Sequence, residues 1–268
     1  MLGSKAKTIE ALKARIESLE KRPPLAETIA SFTAKVGFPA ASAGLLHEVF
    51  ADDQRDAGAS LGFALGQAQW LLTPARPAML VIQLGHEGQN IGVPYGVGLA
   101  SFGIDPHSVV FGRVETAVEL LWAMEEAIAC RAVAAVIADI GTPIKALDFT
   151  ASRRLSLRAA AAGSSAFLLR FGREREASAS RLRWRVSPML SPHPVFDERA
   201  PGGARWLVQL EKGKLGSRLD PVEWMLDWTK NGFSIVEPQN GYRVPPRALT
   251  SLSRALPAVL GDRLSEAG

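Results

Sequence analysis

Apolar and polar positions alternate between residues 45 and 170 in a way that predicts strands separated by helices. Continuous apolar runs predict buried strands, and segments with an apolar residue every three or four positions predict helices. The strand runs lie at 45–50, 78–84, 108–111, 133–139 and 166–170. The helical segments run from the 51–60 turn through Phe63, Leu65 and Ala68, then over 95–102, 114–130 and 147–162, with Gly163 as a helix cap. Such alternation predicts an α/β fold with a doubly wound, mostly parallel sheet flanked by helices.

The pattern changes after residue 171. Strict alternation over 180–186 predicts a half-buried strand, with arginines on one face and Leu182, Trp184 and Val186 on the other. Prolines and glycines predict a loop over 188–203, and 205–211 reads as another strand. Residues 219–229 predict a short helix with Trp224 and Trp228 one turn apart. We therefore expect antiparallel strands on the C-terminal side of a core spanning 40–235.

Both ends of the chain predict helices outside this core. In segment 1–24, Ile9, Leu12, Ile16 and Leu19 form one apolar stripe before Pro23-Pro24. The C-terminal tail, 236–268, begins with turn residues and predicts a final helix near 248–264. These helices could dock onto a partner protein or fold back onto their own domain, and Trp224 and Trp228 could equally serve partner docking or core packing.

The composition limits the kinds of ligand and the cellular compartment that we expect for this protein. The net charge is +4 and the pI is about 9.4, which permits nucleic-acid binding without requiring it. One cysteine, Cys130, rules out an intrachain disulfide, fits a reducing cytoplasm, and is expected to be a buried small residue at a helix end. We see no signal peptide, no run near the roughly 20 apolar residues of a membrane span, and no zinc-like spacing of histidines.

The 51–60 turn occupies the place of a nucleotide-binding P-loop but departs from its pattern. A P-loop requires G-x-x-x-x-G-K-[ST], in which backbone amides and the lysine hold phosphates and the hydroxyl holds magnesium. Gly58 and Ser60 match, whereas Ala51 replaces the first glycine and Ala59 replaces the lysine. Asp52, Asp53 and Asp56 add carboxylates that repel phosphates, or that cap the following helix. We expect no ATP or magnesium cofactor, and no other metal.

Nine arginines fall within 33 positions and suggest a surface for DNA or an acidic partner. A solvated face partly neutralised by Glu174 and Glu176 is the alternative. The nine are Arg153, Arg154, Arg158, Arg170, Arg173, Arg175, Arg181, Arg183 and Arg185.

The order of these elements resembles the core of RecA-like recombinases over about 40–230, with 205–216 similar to the late strand and lysine-rich turn of that family. In that family, the residue at the position of Glu87 polarises the attacking water and the acid at Asp139 supports magnesium. Here both could instead be solvated acids at strand ends, so we treat them as vestigial. A RecA-like chain with a degenerate loop and a helical N-terminus resembles the ImuA family of inducible-mutagenesis proteins, which is related in fold to SulA.

The resemblance implies an accessory protein of the bacterial SOS response that supports error-prone translesion synthesis. It implies an ImuB-like Y-family polymerase homologue and an error-prone replicative-type DNA polymerase as partners, with RecA and single-stranded DNA as further candidates. It implies a cytoplasmic protein, associated with the nucleoid during DNA damage. Two alternatives stay open, a DNA-dependent ATPase with a non-standard loop and a SulA-like inhibitor of cell division.

Overall fold

The computed structural model describes residues 38, 41–85, 92–141, 144–193, 197, 199–200, 202–213 and 223–237. Within these residues, nine strands form one sheet. The strands are β1 (Leu46–Ala51), β2 (Ala78–Leu84), β3 (Val109–Val114), β4 (Val133–Gly141), β5 (Ser165–Phe171), β6 (Leu182–Pro188), β7 (Arg205–Lys212), β8 (Glu223–Thr229) and β9 (Gly232–Val236). The helices are α1 (Ala57–Gln69), α2 (Gly96–Ser101), α3 (Ala117–Ala129) and α4 (Phe149–Ala162), with 3-10 turns at Gln54–Asp56 and Pro106–Ser108.

The sheet is parallel on one side and antiparallel on the other, as expected. Its strand order is β3-β2-β4-β5-β1-β6-β7-β8-β9. Strands β1 to β6 pair in parallel, and β6-β7, β7-β8 and β8-β9 pair antiparallel. The prediction of a mixed α/β fold with added C-terminal antiparallel strands is confirmed.

Helices cover the two faces of the sheet separately, and each helix has local reasons to begin and end where it does. Helix α3 begins with a reciprocal capping box between Thr116 and Glu119. Helix α4 begins where Asp148 accepts a hydrogen bond from the Ala151 amide and ends at Gly163, whose φ of 70° suits glycine. Leucine, methionine and isoleucine side chains from α3 and α4 form one core against β2, β4 and β5.

The opposite face of the sheet is covered by α1 and α2 and is rich in aromatic rings. Phe63 of α1 packs edge-on against Trp184 of β6, and the rings of Phe102 and Trp206 lie 6.4 Å apart. Phe38 also joins this core. None of the helices in the described part of the chain is long and apolar enough to cross a membrane.

Two predicted features are wrong. Residues 223–229 form strand β8 rather than part of a helix, and β9 follows it in a hairpin that the sequence reading missed. Cys130 is exposed rather than buried, because it caps α3 in an extended conformation where the helix ends. The predicted helices in 1–24 and 248–264, with Ile9, Leu12, Ile16 and Leu19, lie outside the described residues.

Candidate functional site

The site predicted from the 51–60 turn lies at the carboxyl end of β1, where ligands commonly bind in open parallel sheets. Ala51 is the last residue of β1 and is buried, and Ala57 begins helix α1. Asp53 accepts a hydrogen bond from the Arg55 amide at 2.9 Å and so caps the 3-10 turn. Asp56 occupies the helix N-cap position but makes no side-chain capping hydrogen bond there, so the structure does not support the alternative in which its side chain caps α1.

The remaining loop residues lie at the start of α1. Gly58 is exposed, and a side chain at its position would meet no heavy atom within 4 Å. Ala59 is partly buried, with no charge to offer a phosphate. Ser60 is fully buried, and its hydroxyl donates to the Ala57 carbonyl at 2.9 Å within the helix. That hydroxyl therefore faces the helix backbone.

Asp139 lies at the carboxyl end of β4, next to this helix start. Its side chain is buried, and its Oδ2 atom lies 3.5 Å from Nε2 of Gln83 on β2. Gln83 also donates to the Gly92 carbonyl at 3.1 Å. The predicted partner acid, Glu87, lies outside the described residues, so the pairing of the two acids stays a prediction.

Two adjoining cavities flank the start of α1. A cavity of about 100 Å³ is bordered by Gln83 and Asp139 among mostly apolar residues, and an apolar cavity of about 410 Å³ lies between α1, α2 and the start of β7. Gly58, Leu61 and Pro94 border both. Among the described lining residues the cation is Arg205, whose guanidinium already donates two hydrogen bonds to Asp227. The cleft can form hydrogen bonds with a ligand and can hold apolar groups. Its described lining, however, offers little positive charge to neutralise a phosphate.

The structure separates the nine predicted arginines into two groups. Five of them lie in a cluster along β1, β5 and β6, where Arg170 and Arg183 pair with Glu48, Arg173 and Arg185 pair with Asp52, and Arg175 pairs with Glu211. Arg153, Arg154 and Arg158 are exposed on α4, and Arg181 is exposed beside β6. A DNA-binding or partner-binding role for either group stays a prediction.

Glu48 is the centre of the first group and is fully buried on β1. Its carboxylate accepts hydrogen bonds from Ser178 at 2.6 Å and Ser180 at 2.7 Å, and from the guanidinium groups of Arg183 at 2.9 Å and Arg170 at 3.3 Å. Burial alone would raise the pKa of Glu48, but the two serine hydroxyls and Arg183 together hold it below its usual value. Glu48 is therefore ionised and serves as an internal counterion.

At the outer edge of the cluster, Asp52 and Glu211 pair with the remaining arginines. Arg185 binds Asp52 through two nitrogens, and the exposed Arg173 lies 3.5 Å from the same carboxylate. Arg175 binds Glu211 through two hydrogen bonds and lies 4.0 Å from the centre of the Phe50 ring. Arg183 and Arg185 therefore do not simply face solvent, because Arg183 binds Glu48 and the 172–181 segment, and Arg185 binds Asp52.

Trp224 and Trp228 lie on the core-facing side of β8, together with Leu226. Trp224 packs edge-on against Phe38 at 5.2 Å, and Trp228 contacts Phe233 at 5.0 Å. The indole of Trp228 also donates to the Ser101 carbonyl at 2.9 Å. These contacts show that both tryptophans pack against the core, which was one of the two alternatives. A partner-docking role for the two tryptophans stays a prediction.

Sequence reasoning missed the polar pair His47 and Glu48 inside strand β1. His47 is fully buried, stacks on Phe167 at 4.4 Å, and accepts a hydrogen bond from the indole of Trp184 at 3.3 Å. Burial lowers its pKa from 6.5 to about 3, so the ring is neutral. The available signal was the presence of two ionisable residues inside an otherwise apolar strand, since such residues are rarely buried without partners.

No metal site is evident among the described residues, where no three histidine, cysteine, aspartate or glutamate side chains gather closely enough to hold an ion. The described geometry thus consists of a cleft at the start of α1 and a neutralised ionic cluster beside it.

The chain is similar to Protein ImuA of Caulobacter vibrioides. The identity is 30% over 148 residues, which cover 52% of this chain and 57% of the relative, and it is the same for strains NA1000 and ATCC 19089. The chain thus matches little more than half the length of these curated relatives. No family model matches the chain. The similarity supports an ImuA-like family, and it is independent of the geometry described above.

Proposed function

We propose that this protein is a non-catalytic accessory protein of the bacterial SOS response that supports error-prone translesion synthesis. The observation that carries the proposal is the 30% identity to Protein ImuA. In this proposal, the described sheet is a RecA-like body with a degenerate P-loop. Its partners are an ImuB-like Y-family polymerase homologue and an error-prone replicative-type polymerase, with RecA and single-stranded DNA as further candidates.

The geometry at the start of α1 supports a role without ATP turnover. Phosphoryl transfer depends on cations that stabilise charge on the transferred group. Ala59 stands where a P-loop has lysine, and the hydroxyl of Ser60 is hydrogen-bonded inside the helix. Arg205, the cation among the described residues that line the larger cavity, is held by Asp227. These features favour a body that joins other proteins over an ATPase.

A DNA-dependent ATPase is the second candidate, and one observation favours it. Asp139 lies at the carboxyl end of β4 beside a cavity that also borders Gly58. A carboxylate in that position could support a magnesium ion if a nucleotide entered the cleft. Phosphate-release measurements, described at the end of the Discussion, separate the two candidates.

The proposed role is tested by deleting the gene and measuring mutants per surviving cell after ultraviolet irradiation. We expect damage-induced mutagenesis to fall toward the spontaneous level and to return with the wild-type gene. Complementation with Ser60→Ala should restore it equally well, because that hydroxyl only bonds within α1. Undiminished induced mutagenesis in the deletion strain would reject the role.

A further inference from the structure

The outer surface of helices α3 and α4 carries large apolar side chains that none of the described residues covers. Val118 and Trp122 of α3 are 69% and 66% exposed, and Leu157 of α4 is 62% exposed. Val118 and Trp122 are four residues apart and therefore share one side of α3. Exposed apolar groups that adjoin one another mark interaction sites more often than single exposed residues do.

The two helices are joined beside these residues by ion pairs. Glu125 of α3 accepts from Arg154 and lies 3.2 Å from Arg158, and both arginines belong to α4. Glu125 follows Trp122 by three residues, and Leu157 lies three residues after Arg154, so each apolar residue is on the same side of its helix as an ion-pairing residue. The exposed apolar residues therefore lie on either side of the line along which α3 and α4 contact each other.

Charge is distributed unequally across this surface. On α4, Arg154 and Arg158 share the carboxylate of Glu125 and Arg153 is exposed nearby, which leaves a positive edge. On α3, Glu119 and Glu126 are exposed beyond Val118 and Trp122, and Glu126 follows Trp122 by four residues. The surface thus has an apolar centre, a positive edge on α4 and a negative edge on α3.

We propose that this α3–α4 surface, composed of Val118, Trp122, Leu157, Arg153, Arg154 and Arg158 with Glu119 and Glu126, docks an amphipathic helix of a partner protein. That helix presents an apolar stripe to Trp122 and Leu157, acidic residues to the α4 edge and basic residues to the α3 edge. Tryptophan and arginine are the residue types that most often dominate binding energy at protein interfaces.

Charge complementarity favours a protein over nucleic acid on this surface. A phosphate backbone needs cations along its path, and affinity rises with the number of phosphates that are neutralised. Here the exposed carboxylates of Glu119 and Glu126 flank the apolar centre and would repel phosphates. The exposed aliphatic side chains would also gain nothing from a charged backbone.

A labelled helical peptide with a leucine stripe, glutamates along one edge and lysines along the other is a suitable probe. Its binding to the full-length protein is followed by fluorescence anisotropy, beside a peptide with the same stripe and lysines on both edges. We expect the first peptide to bind at least about tenfold more tightly than the second. Because purified components are used, the result is independent of any role in the DNA-damage response.

Variants then locate the binding surface. Trp122→Ser, and separately Arg154→Gln with Arg158→Gln, should each weaken binding of the first peptide at least about tenfold. Leu190→Ser is the matched control, since Leu190 is 80% exposed on the loop after β6, and it should leave binding unchanged.

Three outcomes would overturn the proposal. The first is equal binding of the two peptides, or binding that Trp122→Ser does not weaken. The second is tight binding of a single-stranded oligonucleotide that is lost in the arginine variant and kept in Trp122→Ser, which would assign the surface to nucleic acid. The third is self-association, measured by sedimentation, that Trp122→Ser abolishes, which would assign it to a second copy.

Discussion

At the scale of single residues, the stability of this fold depends on charges inside the sheet. Glu48 is fully buried on a central strand, and Arg170 beside it is 2% exposed. Glu48 is tolerated because Arg170, Arg183, Ser178 and Ser180 bind its carboxylate, and Arg170 is tolerated because it binds both Glu48 and Glu176. Removing one member of a buried ion pair costs far more than the pair itself contributes, because it leaves an uncompensated buried charge.

Glu48→Gln should therefore lower the free energy of unfolding by about 3 kcal/mol or more. The change keeps the side-chain volume but leaves the guanidinium groups of Arg170 and Arg183 close together without their shared carboxylate. Urea unfolding at neutral pH measures the effect. Glu211→Gln is the control, because its partner Arg175 lies on the partly exposed rim and the loss should stay near 1 kcal/mol or less. Equal losses in the two variants would contradict this description of the cluster.

The buried, neutral His47 should make the stability of the protein depend on pH. Its pKa is about 3 in the folded protein and near 6.5 when unfolded, so between these values only the unfolded chain binds the proton. The free energy of unfolding should therefore fall as the pH falls from about 6.5, by up to about 1.4 kcal/mol per pH unit. The pKa of Glu48 is lowered from 4.5 in the folded protein, so its contribution to the free energy of unfolding is lost only as the pH falls below that value.

Urea unfolding at several pH values between 7 and 5 tests this assignment. His47→Gln retains an acceptor for the indole of Trp184 but does not titrate, so the decline over that range should become shallower. A decline of the same slope in His47→Gln would show that other groups cause it.

At the scale of elements, the packing of α1 depends on two glycines that admit aromatic rings. A Cβ atom on Gly66 would lie 2.5 Å from the ring of Phe233 and 2.8 Å from that of Trp228. One on Gly62 would lie 3.1 Å from Trp206. These close approaches allow the antiparallel strands to pack against a helix of the parallel half.

Gly66→Ala should destabilise the protein by about 1–3 kcal/mol, because the rings must shift to admit a methyl group. Gly58→Ala lies in the same helix with no atom within 4 Å of the new Cβ, and it should be neutral or slightly stabilising. Thermal unfolding of the two variants gives the comparison. If Gly66→Ala proves as stable as Gly58→Ala, the packing of α1 against β8 and β9 is not as described.

Most elements could be predicted because the pattern and the length of each segment agree. The apolar runs at 78–84 and 133–139 are short for helices and suit interior strands that are buried on both faces, and they are β2 and the greater part of β4. Trp224 and Trp228 are different, because residues four apart share a face in a helix and in a strand alike. The decisive signal was Asn231-Gly232, a dipeptide typical of hairpin turns, where Gly232 has a φ of 95°.

The site was less predictable because its contacts join distant parts of the chain. Alternation over 180–186 separated the arginine face from the apolar face of β6 correctly, but it carries no information about what covers either face. The parallel register that sets Glu48 beside Arg183 joins residues 135 positions apart. Asp139 was recognised through family resemblance, whereas its neighbour Gln83 belongs to an apolar run that gave no signal of a site.

At the scale of the whole molecule, the parallel half carries the cleft and the antiparallel half provides one wall of it. The larger cavity lies between α1, α2 and the start of β7, so its shape depends on both halves. The predicted docking segments 1–24 and 236–268 lie almost wholly outside the described residues, and their roles stay predictions. The described residues around the cleft thus supply little of the positive charge that phosphate chemistry needs.

The most direct test is phosphate release from ATP by the purified full-length protein, with and without single-stranded DNA. An accessory protein with this loop should release phosphate no faster than a buffer blank, and Asp139→Asn should change nothing. Release that is stimulated by DNA and abolished by Asp139→Asn would contradict the account, since it would show that the cleft beside α1 hydrolyses nucleotide.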